Sequence, residues 1–209
     1  QLGYAVNAST TSGTLLVNRK TLTPSFTGQD KTYDGTNSAT VSVSDNRLSG
    51  DVLSISRSAA FTAGADAGTG KAIGVTDVLL SGADAANYSL AATTGSATAN
   101  ITPAALTVRA NDDAKFVSLA DATGTYAGAT YSGFVNGETV AVLGGSLTIS
   151  RSNSSTNTAG SYSGVLVPSG RSSNNYSISY VNGDYTIVPA NQLLVRVSNA
   201  STVYGTAAS

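Results

Sequence analysis

The sequence predicts an all-β (mainly β) fold of tandem small β modules in an elongated array, and three observations carry that reading. Apolar residues alternate with Ser, Thr or Arg in short runs, Gly, Asn and Asp punctuate the runs, and long stretches recur 84 to 88 residues apart. The runs are "ATVSVS" (39–44), "VLSIS" (52–56), "ALTVRA" (105–110), "SLTIS" (146–150), "YSISY" (176–180) and "YTIV" (185–188). Successive strand side chains point to opposite faces, so this pattern suits a sheet with one wet face. Between them lie "SDNRLSGD", "AGADAGTG", "VNGE" and "VNGD". Their residues accept positive φ or bond their own backbone, and they read as turns. No long segment keeps an apolar stripe at helical period, and a short helix is expected only over "NGETVAVL" (136–143).

The repeat sets the domain organisation. "NYSLAATTGSATANITPAALTV" (87–108) is answered by "NYSISYVNGDYTIVPANQLLV" (175–195), which places Tyr88 and Tyr176 88 residues apart. A third copy, "GYAVNASTTSGTLLVNRKTLT", puts Tyr4 84 residues before Tyr88. The segments that follow also correspond, "DKTYDG" at Asp30, "DAKFVS" at Asp113 and "STVYGT" at Ser201, and they align Tyr33 with Phe116 and Tyr204. Such a period is too long for a solenoid coil and fits a small independent β domain. The expected division is the end of a preceding repeat at 1–18, modules at 19–102 and 103–190, and the start of a further repeat at 191–209. On this reading the chain is a window of a longer array. Pro103 and Pro189 sit in the linkers, where a fixed φ favours a semi-rigid rod. The residues leave two topologies open for each module, an immunoglobulin-like sandwich or a β-grasp-like sheet with one short helix.

The motif strings now carry a resemblance. "RKTLTPSFTGQDKTYDGTNSATVSVSDNRLSGDVLSIS", "GTGKAIGVTDVLLSGADAANYSL" and "ANITP" together resemble the YDG domain, whose triplet stands here at Tyr33, Asp34 and Gly35. "ALTVRANDDAKF", "TYSGFVNGETV", "GSLTISRS", "AGSYSGVL" and "NYSISYVNGDYTIVP" resemble the MBG repeat that commonly neighbours it, with "KFVS" where a "TYGD"-like turn is usual. "LLVRVSNASTVYGTAAS" resembles the opening of another repeat. The resemblance implies tandem modules of large secreted bacterial surface proteins, notably filamentous-haemagglutinin-like adhesins of two-partner export. It implies no enzyme and no known ligand residues.

Composition bounds the chemistry. Eleven Lys and Arg against twelve Asp and Glu give a net charge of −1, which offers nucleic acid no clustered positive charge. No run of 18 apolar residues occurs and no signal-peptide pattern is visible, so direct membrane insertion is not expected. With no His and no Cys, neither a Ser-His-Asp triad nor a zinc site of the usual ligands can be built. The absence of Cys, Met and Trp suits a secreted protein that avoids oxidisable side chains. Glycoside hydrolysis needs two facing carboxylates, yet Glu138 is the single Glu and the eleven Asp fall mostly in turns. Asp112 and Asp113 would point to opposite faces of a continuing strand.

Some alternatives compete with the structural reading. No cofactor is expected, although Asp66, Asp84, Asp112 and Asp113, in turns that lack EF-hand or β-roll spacing, are candidate calcium ligands. Arg57, Arg109 and Arg151 with Tyr126 and Tyr131 would suit a polysaccharide-binding face. Lys31, Lys71 or Lys115 would serve a Lys–Asn cross-link, and six Asn-x-Ser/Thr sequons begin at Asn7, Asn87, Asn100, Asn153, Asn175 and Asn199. "KTYDGT" (31–36) is read as a turn in which Asp34 accepts backbone N–H groups, Gly35 takes positive φ and Tyr33 covers the sheet end. The expected function is a stalk that holds a binding region away from the bacterial surface, with carbohydrate binding as the alternative. The expected partners are neighbouring repeats of the same chain, polysaccharide, and copies associating along sheet edges.

Overall fold

The computed structural model describes residues 14, 16–192 and 194. Tyr4, Tyr204, Asn7, Asn199 and most of the two expected partial repeats lie outside the described residues. The alternating runs become fifteen strands among the described residues: β1 (Lys20–Leu22), β2 (Ser25–Gly28), β3 (Lys31–Thr32), β4 (Val41–Ser44), β5 (Ser54–Phe61), β6 (Gly68–Ser81), β7 (Tyr88–Leu90), β8 (Gly95–Thr102), β9 (Ala104–Ala110), β10 (Asp113–Phe116), β11 (Ala129–Ser132), β12 (Gly144–Arg151), β13 (Gly160–Ser172), β14 (Tyr176–Val181) and β15 (Gly183–Val188). The fold is all-β, as the alternation predicts. The only helical pieces among the described residues are single 3-10 turns at Ala85–Asn87 and Val140–Val142. The helix expected over 136–143 shrinks to the second of these. Asn136 and Gly137 have φ of 51° and 72°, and Thr139 is extended, so helical geometry starts only after Thr139, whose hydroxyl accepts from the Ala141 N–H at 3.4 Å.

The chain packs as two compact units. The first comprises the described residues up to Gln29 together with Ser38–Thr62 and Gly70–Ala99. In it β1 runs parallel to β7, β2 antiparallel to β4, and β5 antiparallel to β6, which neighbours β8. Leu22, Phe61, Ile73, Val75 and Val78 are almost wholly shielded from water and form its apolar interior.

The second unit comprises Asp30–Asn37, Ala63–Thr69 and the described residues from Asn100 onward. Its strands form a sheet of order β11-β9-β14 and another of order β10-β15-β13-β12. A buried cluster draws Ala110 from the first of these sheets and Ile149, Leu166, Tyr185 and Ile187 from the second. Two sheets sharing one core make the sandwich alternative. With no α-helix among the described residues, the β-grasp alternative lacks the helix it requires. The chain leaves β9 at Ala110 and joins the other sheet at Asp113, so Asp112 lies in the break between two strands.

Strand registers reproduce the repeat. Lys20 pairs with Tyr88 as Ala104 pairs with Tyr176, and Lys31 pairs with Ile101 as Lys115 pairs with Ile187, all in parallel. The registers also correct one sequence alignment. The Tyr33 N–H donates to the Thr102 carbonyl at 2.8 Å, and it is the Val117 N–H that donates to Val188 at 2.9 Å. Val117, and not Phe116, therefore occupies the place of Tyr33. A slip of one residue turns a strand side chain to the other face, so the aromatic ring is not repeated there.

Candidate functional site

The turn at 31–36 is built by its own polar groups. Lys31 Nζ donates to Asp34 Oδ1 at 2.7 Å and to the Thr36 carbonyl at 2.8 Å. The Thr36 N–H donates to the same Asp34 oxygen at 2.9 Å. The Lys31 ammonium and these hydrogen bonds hold the Asp34 carboxyl down at about 2 despite some burial. Gly35 has φ of 75°, as the turn reading requires, and a Cβ there would lie 2.7 Å from Asn136 Cβ. We expect Gly35→Ala to lose the left-handed preference, about 1–2 kcal/mol, and more from the clash. Gly50→Ala, at φ of 99° with open space around it, should cost less in the same urea titration.

Tyr33 does more than cover a sheet end. It is buried, and its hydroxyl donates to Glu138 Oε1 at 2.6 Å. Tyr176 donates to the other oxygen of the same carboxylate at 2.5 Å, and the two rings meet edge to face with centroids 5.5 Å apart. The Tyr176 oxygen also accepts from the Val135 N–H at 3.1 Å. A turn delivers Glu138 to this point, since its N–H returns to the Val135 carbonyl at 2.9 Å with Asn136 and Gly137 both at positive φ. Next to the latch, Asn175 accepts from the Ala67 N–H at 2.8 Å and donates to Asp66 Oδ1 at 2.9 Å. The repeated "NYS" thus supplies both the Asn and the Tyr of one constellation.

The first unit carries a matching constellation. Tyr88 donates to Asp51 Oδ2 at 2.5 Å and accepts from the Leu48 N–H at 2.9 Å. The Asp51 N–H donates to the Leu48 carbonyl at 3.2 Å, this time with Gly50 alone of the two central residues at positive φ. Each latch carboxylate thus lies three residues beyond the residue whose N–H meets the tyrosine, directly after a Gly, and 37 or 38 residues before that tyrosine. That spacing was present in the sequence. In the sequence Glu138 stands out only as a lone Glu, a residue type that suggests half of a catalytic pair before it suggests a latch.

The hydrogen bond to Glu138, reinforced by burial, pushes the Tyr33 hydroxyl up to about 12. A phenol with a raised folded pKa adds stability that is complete below its ordinary value near 10 and disappears as pH rises through 12. Burial pushes Tyr185 to about 12 in the same direction. We expect the second unit to melt at falling temperature between pH 10 and 12, and Tyr33→Phe to flatten that decline. A decline unaltered by the substitution would refute the latch as its source.

The other sequence candidates are engaged in local structure. Asp66 meets Asn175, Asp84 accepts from the Val52 N–H at 2.8 Å, Asp112 from the Asp184 N–H at 2.9 Å, and Asp113 from the Ala114 N–H at 2.7 Å. No group of three or more acidic side chains able to hold a metal ion occurs among the described residues. Among the residues named for a sugar-binding face, Arg109 donates to Asp112 at 3.1 Å. Arg57 donates to the Val41 carbonyl and Tyr131 stacks on Phe134, while Arg151 is buried and Tyr126 packs against the core at Tyr185. Of the candidate cross-linking lysines, Lys31 closes its turn, Lys71 lies over the Phe61 ring, and Lys115 is buried with Nζ 2.7 Å from Asp121. Among the sequons, the Asn100 and Asn175 amides are hydrogen-bonded and Asn87 is exposed.

A sandwich core, a register built twice and a tyrosine–carboxylate latch built twice define the class: tandem all-β repeat modules. The chain carries a YDG domain at residues 18–97, followed by an MBG domain of the YGX type at residues 106–186. No curated protein and no solved structure matches the chain. The turn at 30–37 and the hairpin at 63–69 fall in the YDG-matched stretch, yet both pack within the second unit.

Proposed function

We propose that the chain is a pair of spacer repeats in the stalk of a large secreted bacterial adhesin or biofilm-matrix protein, with no catalytic role. The observation that carries this reading is the repeated latch. The side chains with the most distinctive chemistry, Tyr33, Glu138, Tyr176, Asp51 and Tyr88, are spent on holding loops to sheets. The YDG and MBG domains support the same reading, because they resemble modules of such proteins. A spacer is defined by length, so replacement by an unrelated β-repeat of equal span tests it. We expect deletion of 19–190 from the parent protein to weaken adhesion and the unrelated spacer to restore it. Failure of the unrelated spacer to restore adhesion, with export intact, would overturn the reading. It would move carbohydrate recognition to the front.

A further inference from the structure

The two latches differ in how fully they are used. In the second unit both oxygens of Glu138 receive a tyrosine hydroxyl, the Asn175 amide is held by Asp66 and Ala67, and the ring of Tyr33 lies against Tyr176. All of the added partners come from 30–37 and 63–69. In the first unit Asp51 receives only Tyr88, so its Oδ1 accepts no hydrogen bond among the described residues. The Asn87 side chain has no hydrogen-bond partner and Tyr88 no ring partner among them. Around this half-used latch lies a cleft of roughly 480 Å³, lined by Leu48, Asp51, Asn87, Tyr88 and Val17 among others. Leu48 is 58% and Val17 82% exposed. By strand register Val17 stands where Ile101, paired with Lys31 and 2% exposed, stands in the second unit.

We propose that this cleft is the docking socket for a tyrosine-tipped turn of the "KTYDGT" kind and its companion hairpin, presented by another YDG-type repeat. The second unit shows what such an occupant contributes at each point. A phenol hydroxyl donates to the free carboxylate oxygen, its ring edge meets the latch tyrosine, an Asp-bearing hairpin takes the Asn amide, and a two-residue strand covers the exposed Val. Each complementary group is present in the first unit and unused among the described residues. The inference rests on the tandem-repeat reading and adds to it a specific repeat-to-repeat contact, so the array would be keyed and not merely strung together.

The test uses the full chain, labelled with nitrogen-15, and a disulfide-cyclised peptide of residues 29–38. The expected result is saturable shifts at the amides of Leu48, Asp51 and Tyr88 at peptide concentrations on the order of 1 mM, about 4 kcal/mol of binding. A peptide with phenylalanine at the Tyr33 position should bind several-fold more weakly, and one with alanine should leave those amides unmoved. A second peptide, residues 62–71, should shift the Asn87 side-chain amide. These changes are made in the peptides, so the folding of the protein is not at issue. Absence of shifts in the first unit, or equal shifts from the alanine peptide, would overturn the socket. That result would leave the spacer-replacement experiment, and the stalk reading, untouched.

Discussion

Asp121→Ala is expected to destabilise the second unit by about 3–5 kcal/mol, the usual cost of stranding buried charge. The Arg151 side chain is wholly buried and that of Lys115 is 9% exposed, and both cations converge on this one carboxylate at 2.8 and 2.7 Å. Arg151 lies over the Tyr185 ring with 5.0 Å to its centroid and holds the carbonyls of Ser154 and Thr156. Removing Asp121 leaves two largely buried positive charges without the carboxylate they share. The double substitution Asp121→Ala with Lys115→Met should recover part of the loss, because one stranded charge is gone. Urea unfolding followed by circular dichroism measures both, and a single-variant loss below about 1 kcal/mol would show that water reaches the site. Burial raises the Asp121 pKa, but the Lys115 hydrogen bond and the Arg151 charge outweigh it, and the net direction is down. A lowered carboxylate pKa adds stability that is present above the ordinary Asp value and lost as pH falls through it and below. The acid limb of the stability profile should therefore shrink in Asp121→Ala.

Glu138→Ala is expected to cost about 2–4 kcal/mol, since two tyrosine hydroxyls lose a charged acceptor together. Tyr33 and Tyr176 are 6% and 3% exposed, so little water is at hand to replace the lost acceptor. Tyr33→Phe and Tyr176→Phe should each cost less than Glu138→Ala, and the pair should be non-additive because they share one carboxylate. Asp51→Ala, which strands one hydroxyl in the first unit, should cost less than Glu138→Ala. Equal losses from the two carboxylate substitutions would contradict the difference between the latches.

Much of the fold could be read from the chain because its signals are local. Period-two alternation placed strands such as Val41–Ser44 and Gly183–Val188, and Gly35 and Asp34 took the turn geometry that their chemistry allows. Local signals failed where a choice depended on register. Phe116 looked like the counterpart of Tyr33, and only the pairing of Lys115 with Ile187 moved that role to Val117. The helix expected over 136–143 begins only after Thr139, because Asn136 and Gly137 at positive φ and an extended Thr139 occupy its first turn.

By itself, then, the sequence determined an all-β chain, its repeat, its turns and its families, because these follow from spacing and from residue types that act on their own backbone. Only the tertiary structure decided that Tyr33 and Tyr176 share Glu138, that Arg151 and Lys115 share Asp121, and that Arg151 is buried while Tyr126 packs half-buried against the core. Apart from Lys115 and Asp121, those partnerships join residues 30 to 105 positions apart in the chain. Spacing carries no information about such pairs until strand register brings them to one point.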